Sequence, residues 1–328
     1  MSNRSRRLAV AGLLAALTTS PALAQSGQLV LYTSQPNEDA QQTVDAFKAK
    51  HPDIDVQWIR DGTTKVMAKL EAEFVAGNPQ PDVLLIADTV TMEGLKQKDR
   101  LMPYPEADVS AYDAGLHDAD RTYFSTKLIT TGIAYNTSAP FQPSSWKDLT
   151  GPEAKGQVTM PSPLTSGAAL VHLAALAQNP ELGWEYHEAM AENGAQAQGG
   201  NGGVLKAVAG GEKMYGVIVD FLPIREAAKG SPIKFVFPAD GVTAVTEPVA
   251  ILSTAKNVEA AKLFVDFLLS SEGQELAATM GYLPADPKVA PPEGFPARDT
   301  IKVMPFDAAD ALAQEAENKL RFSELFGG

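Results

Sequence analysis

Two patterns of apolar and polar residues alternate along the first hundred positions of the chain. Short runs rich in β-branched residues are typical of buried strands, and longer segments with apolar residues three and four apart are typical of helices. The pattern predicts strands at 28–34, 54–61 and 81–87 and helices at 37–52, 63–78 and 89–101. Repeated strand–helix units predict a parallel sheet that is covered by helices on both faces.

The pattern changes after about residue 104, where the chain becomes polar and irregular. Beyond this stretch the sequence predicts strands at 125–136, 155–163, 214–221, 233–239 and 246–254, and helices at 166–178, 182–193, 203–210, 258–269, 272–280 and 308–326. No linker rich in glycine, serine or proline separates two halves. The sequence therefore predicts an α/β fold of two lobes, joined by extended crossovers near 127–134 and 242–250.

The predicted crossovers also predict how the chain is divided between the lobes. The chain is expected to run from lobe one into lobe two and then to return. Lobe one would comprise residues 25–128 and 248–328, and lobe two would comprise residues 129–247. A ligand cleft is expected between the lobes.

The first 24 residues have the pattern of an export signal. Arg4, Arg6 and Arg7 form a basic start, a short apolar stretch follows, and the tripeptide Ala22 to Ala24 is typical of a signal-peptidase site. The apolar stretch is interrupted by residues 18–21 and is too short to span a bilayer. We therefore expect residues 1–24 to be a cleaved signal peptide and the protein to reside in the periplasm, with a retained membrane anchor as the alternative.

Charge and composition narrow the possible partners. The 328-residue chain has a net charge of −13, which becomes −16 when the three arginines of the predicted signal are removed. Such a polyanion repels phosphate backbones, so we expect no nucleic-acid partner. The chain has no cysteine, which is compatible with an oxidising compartment.

Small polar residues occupy five predicted strand-to-helix turns, at 32–35, 61–65, 87–91, 161–169 and 199–203. In open α/β sheets, ligands bind beyond the carboxyl ends of the strands, where helix N-termini present free N–H groups. Each turn alone is better explained by a serine, threonine or aspartate that caps a helix. Five such turns around one cleft would instead indicate a ligand site.

The turn at 161–169 is the most specific of the five. It combines prolines with Thr165, Ser166 and Gly167 and then opens a helix rich in alanine. This arrangement suits an anion that rests on backbone amides. A capped core helix with close packing at the alanines is the alternative. The motif GK[ST] of nucleotide-hydrolase phosphate loops is absent from the sequence.

Three acids, Asp88, Asp220 and Glu247, follow apolar strand-like runs. Carboxylates in such positions are costly unless they are paired, hydrated or bound to a ligand. The hydroxyl or ammonium groups of a ligand would satisfy them, and so would a backbone group or a nearby arginine. The four histidines show no metal-ligand spacing and no GxSxG motif is present, so we expect no enzyme, metal or cofactor.

Several segments together resemble the periplasmic substrate-binding proteins of ABC importers, in the group of ferric-binding proteins and their relatives. These segments are LVLYTS…AFKAKHPDIDVQW, PDVLLIADTVTMEGLK, ITTGIAYNT…SSWKDLTGPEAKGQVTMPSP and AAKLFVDFLLSSEGQELAATMGYLP. The resemblance implies a two-lobed clamp of the type II kind, with the ligand cleft between the lobes. It also implies a monomer that delivers a small anionic solute to a permease in the inner membrane.

The identity of the solute follows only by analogy with this group. Ferric binders of the group typically use two adjacent tyrosines, and this sequence contains no Tyr-Tyr dipeptide. The resemblance therefore favours the binders of phosphonates and phosphate esters. By that analogy, five residues are expected near the anionic group and three near hydroxyls or an amine: Ser34, Thr64, Thr165, Ser166 and Gly167, and then Asp88, Asp220 and Glu247.

The small, hydroxyl-rich set of candidates favours 2-aminoethylphosphonate or a similarly small phosphorus compound. A hexose phosphate and ferric iron are the alternative solutes. A periplasmic phosphoesterase is the alternative from a different class of protein.

Overall fold

The computed structural model describes residues 27–327. The predicted signal peptide at 1–24 lies outside the described residues. Within them the chain forms two β-sheets, each packed against helices, and this is the two-lobed α/β fold that the sequence predicts. No helix of this part of the chain is long and apolar enough to cross a membrane.

Twelve strands form the two sheets of residues 27–327; every predicted strand is present, several are shorter than predicted, and β7, β10 and β12 were not predicted. The strands are β1 (Gly27–Thr33), β2 (Ile54–Arg60), β3 (Val83–Leu85), β4 (Phe124–Ser125), β5 (Lys127–Asn136), β6 (Val158–Met160), β7 (Gln196–Ala197), β8 (Tyr215–Val219), β9 (Ile233–Val236), β10 (Thr243–Val245), β11 (Pro248–Ile251) and β12 (Leu283–Pro284). The predicted strand at 125–136 is divided in two, because β4 and β5 belong to different sheets.

Ten α-helices cover the sheets in the described residues. They are α1 (Asn37–Lys50), α2 (Thr63–Val75), α3 (Thr89–Gln97), α4 (Gly167–Gln178), α5 (Gly183–Glu192), α6 (Asn201–Ala209), α7 (Phe221–Ala228), α8 (Val258–Leu269), α9 (Ser271–Thr279) and α10 (Ala308–Phe326). Helix α7 was not predicted from the sequence, since it is short and contains Pro223. The proline lies in the first helical turn, where its missing N–H is not needed.

The first sheet has the strand order β2-β1-β3-β11-β4. Strand β1 runs parallel to β2 and β3, as predicted, but β11 is antiparallel to its neighbours. The sheet is therefore mixed rather than wholly parallel. Leu29, Leu31, Val83 and Phe264 belong to a core that helices α1 and α8 complete on one face.

The second sheet has the strand order β10-β5-β8-β6-β7, with β9 and β12 paired to the long strand β5. Strand β5 is antiparallel to β8, β9 and β10, and β6 is parallel to β8. Helices α4 and α6 pack on this sheet and contribute Val171, Leu176 and Val208 to its core, and α5 packs against α4.

Two of the passages of the chain between the sheets lie next to each other. The chain leaves β4 for β5 through Thr126, and it returns from β10 to β11 through Thr246 and Glu247. The two passages are bonded to each other, because Thr126 and Lys127 donate backbone N–H groups to Thr246 O at 3.2 and 3.3 Å. The Thr126 hydroxyl also donates to Glu247 O at 2.8 Å. These paired segments, residues 126–127 and 246–247, connect the lobes and are called the hinge below.

The last helix, α10, contacts α3 beside the first sheet and α4 and α5 beside the second. Leu312 lies against Gly94 of α3, and Phe322 is buried in the core of the second lobe. An ion pair of 2.6 Å between Arg321 and Glu188 adds to the contact with α5. The division of the chain at residues 128 and 247 stays a prediction.

Candidate functional site

A cavity of about 600 Å³ lies between the two lobes. Its walls come from the turns that follow β1, β2 and β3 in the first lobe and from the turns before α4 and α6 in the second. Six of the predicted site residues line this cavity: Ser34, Thr64, Thr165, Ser166, Gly167 and Glu247. The polar turns that are far apart in sequence therefore surround one space.

Three helices begin at the wall of this cavity. Helix α2 begins at Thr63 in the first lobe, and α4 and α6 begin at Gly167 and Asn201 in the second. The first amides of a helix have no acceptor within the helix, and the N-terminus carries a partial positive charge. The first amides of three helices, one from the first lobe and two from the second, therefore lie at the wall of the cavity.

The hydroxyl groups of the site are positioned by the same turns. The Ser34 Oγ accepts a hydrogen bond of 2.9 Å from Ala87 N, so its own hydrogen stays free for a ligand. The Ser166 Oγ likewise accepts from Ala169 N, at 3.4 Å, and thereby caps α4. The Thr165 hydroxyl instead donates to Gly199 O at 2.7 Å, which joins the two polar turns of the second lobe.

The lobes touch beside the cavity through two glycines. A Cβ added to Gly62 would lie 3.2 Å from Thr165 O, and one added to Gly167 would lie 2.6 Å from Ala87 O. Both contacts join the first lobe to the second. Residues 27–327 therefore adopt a closed arrangement around the cavity.

Four side chains of the charged residue types line the cavity, and the sequence singled out only one of them as a ligand contact. They are Arg60, Asp61, Lys65 and Glu247. The Arg60 Nε donates to Gln35 O at 2.5 Å, and Asp61 accepts from Gly62 N at 2.7 Å. The signal that could have identified the other three is their position at a strand-to-helix turn. Arg60 ends β2, and Asp61 and Lys65 follow it.

Glu247 lines the cavity but has a partner within the protein. Its Oε2 lies 2.5 Å from Lys127 Nζ, and both side chains are almost completely buried. Burial raises the pKa of Glu247, and the positive charge of Lys127 opposes this shift. The φ angle of Glu247 is 38°, a left-handed value that is uncommon outside glycine and often marks functional or strained segments.

Asp88 and Asp220 were predicted to face the ligand, and the structure places both outside the lining of the large cavity. Asp88 caps α3 and accepts from Thr91 N at 3.0 Å, and it borders a separate cavity of about 210 Å³. Asp220 accepts from Thr130 N, Thr130 Oγ1 and Phe221 N at 2.7–2.9 Å. Burial raises the pKa of each carboxyl to about 6.

Apolar and aromatic side chains form another part of the cavity wall. Ile129, Val219, Phe221 and Leu222 come from the second lobe, and Tyr282 follows α9. The rings of Phe221 and Tyr282 lie 4.4 Å apart between centroids. The Tyr282 hydroxyl donates to Asp39, so this phenol is already bonded within the protein. The cavity therefore offers a polar end for an anion and an apolar wall for the rest of a ligand.

Within residues 27–327, no three histidine, cysteine, aspartate or glutamate side chains are grouped as the ligands of a metal ion. The acids of the cavity are bonded to backbone or to lysine, as described above. The hydroxyl groups of Ser34 and Ser166 at the strand-to-helix turns are donors that suit an anion.

Comparisons with known proteins show the family to which the chain is similar. Residues 78–312 match the family described as bacterial extracellular solute-binding protein. An uncharacterized protein of Haemophilus influenzae is 30% identical over 289 residues, which are 84% of this chain and 83% of the relative. A probable ABC transporter periplasmic-binding protein of Sinorhizobium fredii, y4fP, is 25% identical over 93% of this chain and 87% of its own length.

Solved structures show the same fold. The periplasmic binding protein AfuA of Actinobacillus pleuropneumoniae, with fructose-6-phosphate bound, is 24% identical and has a TM-score of 0.83, over 92% of this chain and 99% of that chain. The iron-bound HitA of Pseudomonas aeruginosa is 21% identical and has a TM-score of 0.77, over 90% of this chain and 99% of that chain.

Proposed function

The chain belongs to the family of bacterial extracellular solute-binding proteins, and we propose that its solute is a small organic phosphate or phosphonate. It is the solute-binding component of an ABC transporter, and binding proteins of this kind work with a membrane permease. The solute would be held between the lobes, with its anionic group on the backbone amides. Contacts with both lobes would stabilise the closed arrangement.

One observation carries the proposal: three helix N-termini from both lobes meet at one cavity. Each terminus contributes N–H donors and roughly half a positive charge. The hydroxyls of Ser34 and Ser166 stand beside these amides and keep a hydrogen to donate. A tetrahedral phosphorus group, with three acceptor oxygens and a negative charge, matches such a set of donors.

The size of the cavity and the apolar part of its wall indicate the chemistry of the rest of the solute. A cavity of about 600 Å³ exceeds the needs of a two-carbon compound, and falls in the range of about 300–1,000 Å³ that is usual for larger ligands. Phe221 and Tyr282 provide surfaces on which the C–H face of a sugar ring can lie. The similar protein AfuA holds fructose-6-phosphate. These observations favour a sugar phosphate over 2-aminoethylphosphonate.

2-Aminoethylphosphonate is the second candidate, and one observation favours it. Asp61 lines the cavity and is half-buried, so its carboxylate is placed to accept an ammonium group. Glu247 is less suited to that task, because Lys127 already neutralises it. Ferric iron has weaker support, since the tyrosine of the cavity wall donates to Asp39.

The proposal includes a location and a partner. The family is extracellular, which implies the periplasm in a cell with two membranes. We further propose that the protein acts as a monomer and passes the solute to an inner-membrane permease. Because the relatives are transport-associated binding proteins, no turnover of the solute is expected.

Calorimetry on the purified protein tests the proposal. Fructose 6-phosphate, glucose 6-phosphate, 2-aminoethylphosphonate, inorganic phosphate and ferric citrate form the panel, and a chromogenic phosphate ester is added to detect hydrolysis. We expect saturable 1:1 binding of at least one organic phosphorus compound and no hydrolysis. Binding of ferric citrate alone would show that the solute is iron, and turnover of the ester would show that the protein is an enzyme.

A further inference from the structure

Arg60 stands apart from the other charged groups of the cavity. It is the last residue of β2, and its side chain is exposed to the cavity rather than packed into a core. Its Nε donates to Gln35 O at 2.5 Å, which fixes the guanidinium beside the turn that precedes α1. Among residues 27–327, its terminal nitrogens have neither a hydrogen-bond acceptor nor a carboxylate partner.

The other ionisable groups of the cavity wall have partners in the protein. Glu247 is paired with Lys127 at 2.5 Å, so this buried pair contributes little net charge. Lys65 lies 3.7 Å from Asp61, and its side chain is 77% exposed to solvent. Arg60 therefore supplies a positive charge without a carboxylate partner among the described residues, in addition to the partial charges of the three helix N-termini.

We propose that Arg60 is a specificity-determining residue, whose guanidinium selects a doubly charged phosphorus group over a singly charged analogue. This inference rests on the proposed function. A guanidinium presents parallel N–H donors that match two oxygens of a phosphate or phosphonate. With Nε already bonded to Gln35, the terminal nitrogens are left for the ligand. Helix N-termini alone accept any small anion, so the additional full charge creates the preference for a dianion.

Matched phosphorus and sulfur compounds test the preference directly. The pairs are glucose 6-phosphate with glucose 6-sulfate, and 2-aminoethylphosphonate with taurine. Each pair has one carbon skeleton, and at pH 8 the phosphorus member is a dianion while the sulfur member carries one negative charge on its acid group. The dissociation constants of all four compounds are measured by calorimetry for the wild-type protein and for Arg60→Gln.

In the wild-type protein we expect tighter binding of the phosphorus member of at least one pair. Arg60→Gln should weaken that member by about 10- to 150-fold, the range for lost hydrogen bonds to a charged group. The sulfur member should change much less, so that the preference within the pair collapses. Arg60→Lys should give an intermediate result, because it keeps the charge and loses the planar donor pair.

The control is Lys48→Gln, which removes one positive charge from α1 where Lys48 lies 3.7 Å from Asp55. It should leave all four constants unchanged. A phosphorus-to-sulfur ratio in Arg60→Gln equal to that of the wild type would overturn the role of Arg60 while the proposed function stands. A wild-type protein that binds neither phosphorus compound, but does bind ferric citrate, would overturn both.

Discussion

Gly167 at the start of α4 lies directly against the main chain of Ala87 in the opposite lobe. A Cβ on Gly167 would be 2.6 Å from Ala87 O and 2.9 Å from Thr63 Oγ1. Cβ atoms are not found so close to backbone oxygens, so glycine is required for the lobes to meet here. The first residue of α4 thus also sets the distance between the lobes.

Gly167→Ala should therefore weaken solute binding by holding the lobes apart. Overpacking of this kind costs about 1–3 kcal/mol, which corresponds to roughly 5- to 150-fold in affinity. Stability should be little changed, because the open arrangement relieves the contact. Calorimetry and small-angle X-ray scattering of the solute-bound protein measure both effects. Gly115→Ala is the matched control, since no atom lies within 4 Å of its added Cβ.

Asp39 and Arg225 form an ion pair between the lobes. Arg225 Nη1 on α7 donates to both carboxylate oxygens of Asp39 on α1 at 3.1 Å, and Tyr282 donates to the same carboxylate. Asp39→Asn should shift the protein towards the open state. We expect a cost of about 1–3 kcal/mol, because the carboxylate is buried and the arginine is partly exposed.

The shift is measured as a loss of affinity and as a larger radius of gyration. Glu226→Gln supplies the control, because it removes an exposed pair of 2.9 Å with Lys229 on the same helix. Exposed pairs contribute less than about 1 kcal/mol. If Asp39→Asn and Glu226→Gln show the same affinity and the same radius of gyration, Asp39 has no role in closure.

Asp220→Asn distinguishes a structural role from a ligand contact. The carboxylate accepts three hydrogen bonds from Thr130 and Phe221, and an amide cannot accept all of them. We expect the free energy of unfolding to fall by about 1–3 kcal/mol, with the solute affinity unchanged. Urea denaturation and calorimetry give the two values. A tenfold loss of affinity at unchanged stability would return Asp220 to the solute site, as the sequence predicted.

His172 makes the stability of the second lobe dependent on pH. Burial lowers its pKa from 6.5 to about 3, and its Nδ1 lies 2.8 Å from Thr243 Oγ1. Because the folded-state pKa is depressed, its contribution is fully present above pH 6.5 and is lost as the pH falls towards 3. At pH 5 the loss is about 2 kcal/mol, from 1.36 kcal/mol for each unit of pKa.

The comparison of His172→Gln with the wild type isolates this group, because the other titrating residues cancel in the difference. His187 is present in both proteins, and so are the carboxyl groups of Asp88 and Asp220, whose pKa values are raised. His172→Gln should have a lower free energy of unfolding than the wild type at pH 8, and this difference should disappear by pH 5. Thr243→Val keeps the imidazole, so its stability should fall with pH as in the wild type. A difference between His172→Gln and wild type that stays constant from pH 8 to 5 would refute the assignment.

The sequence predicted most elements because their patterns are local. Helices α8 and α10 have the predicted bounds, since their apolar residues recur at helical spacing and Asp307 caps α10. Polar turns at strand ends could also be predicted to meet, because α/β topology brings such turns to one edge. The cavity is lined by six of the eight predicted residues for that reason.

The remaining features depend on distances that a sequence does not contain. Asp88 and Asp220 follow apolar strands just as Glu247 does, but hydrogen bonds to nearby residues hold the first two away from the cavity. Arg60 was not predicted as a site residue, and the register of β2 leaves it at the cavity wall. Glycine is required at position 167 because the main chain of Ala87 in the opposite lobe lies against it, a contact that the sequence does not reveal.

The buried pair of Lys127 and Glu247 gives a prediction about the hinge itself. The two residues sit on the adjacent passages between the lobes, and their side chains are 3% and 2% exposed. Glu247→Gln should destabilise the protein by about 3–5 kcal/mol, because it leaves the lysine charge buried without a partner. Lys127→Met should destabilise the protein by a similar amount, because it leaves the glutamate buried without a partner.

The double variant Lys127→Met with Glu247→Gln should recover much of this loss, since both charges are then absent. The expected coupling is at least about 1 kcal/mol in a double-mutant cycle of urea unfolding. Tyr282 supports this expectation, because its ring lies 4.1 Å from Lys127 Nζ and would contact the methionine instead. Additive losses in the double variant would mean that the two side chains act separately, and that the hinge does not depend on their pairing.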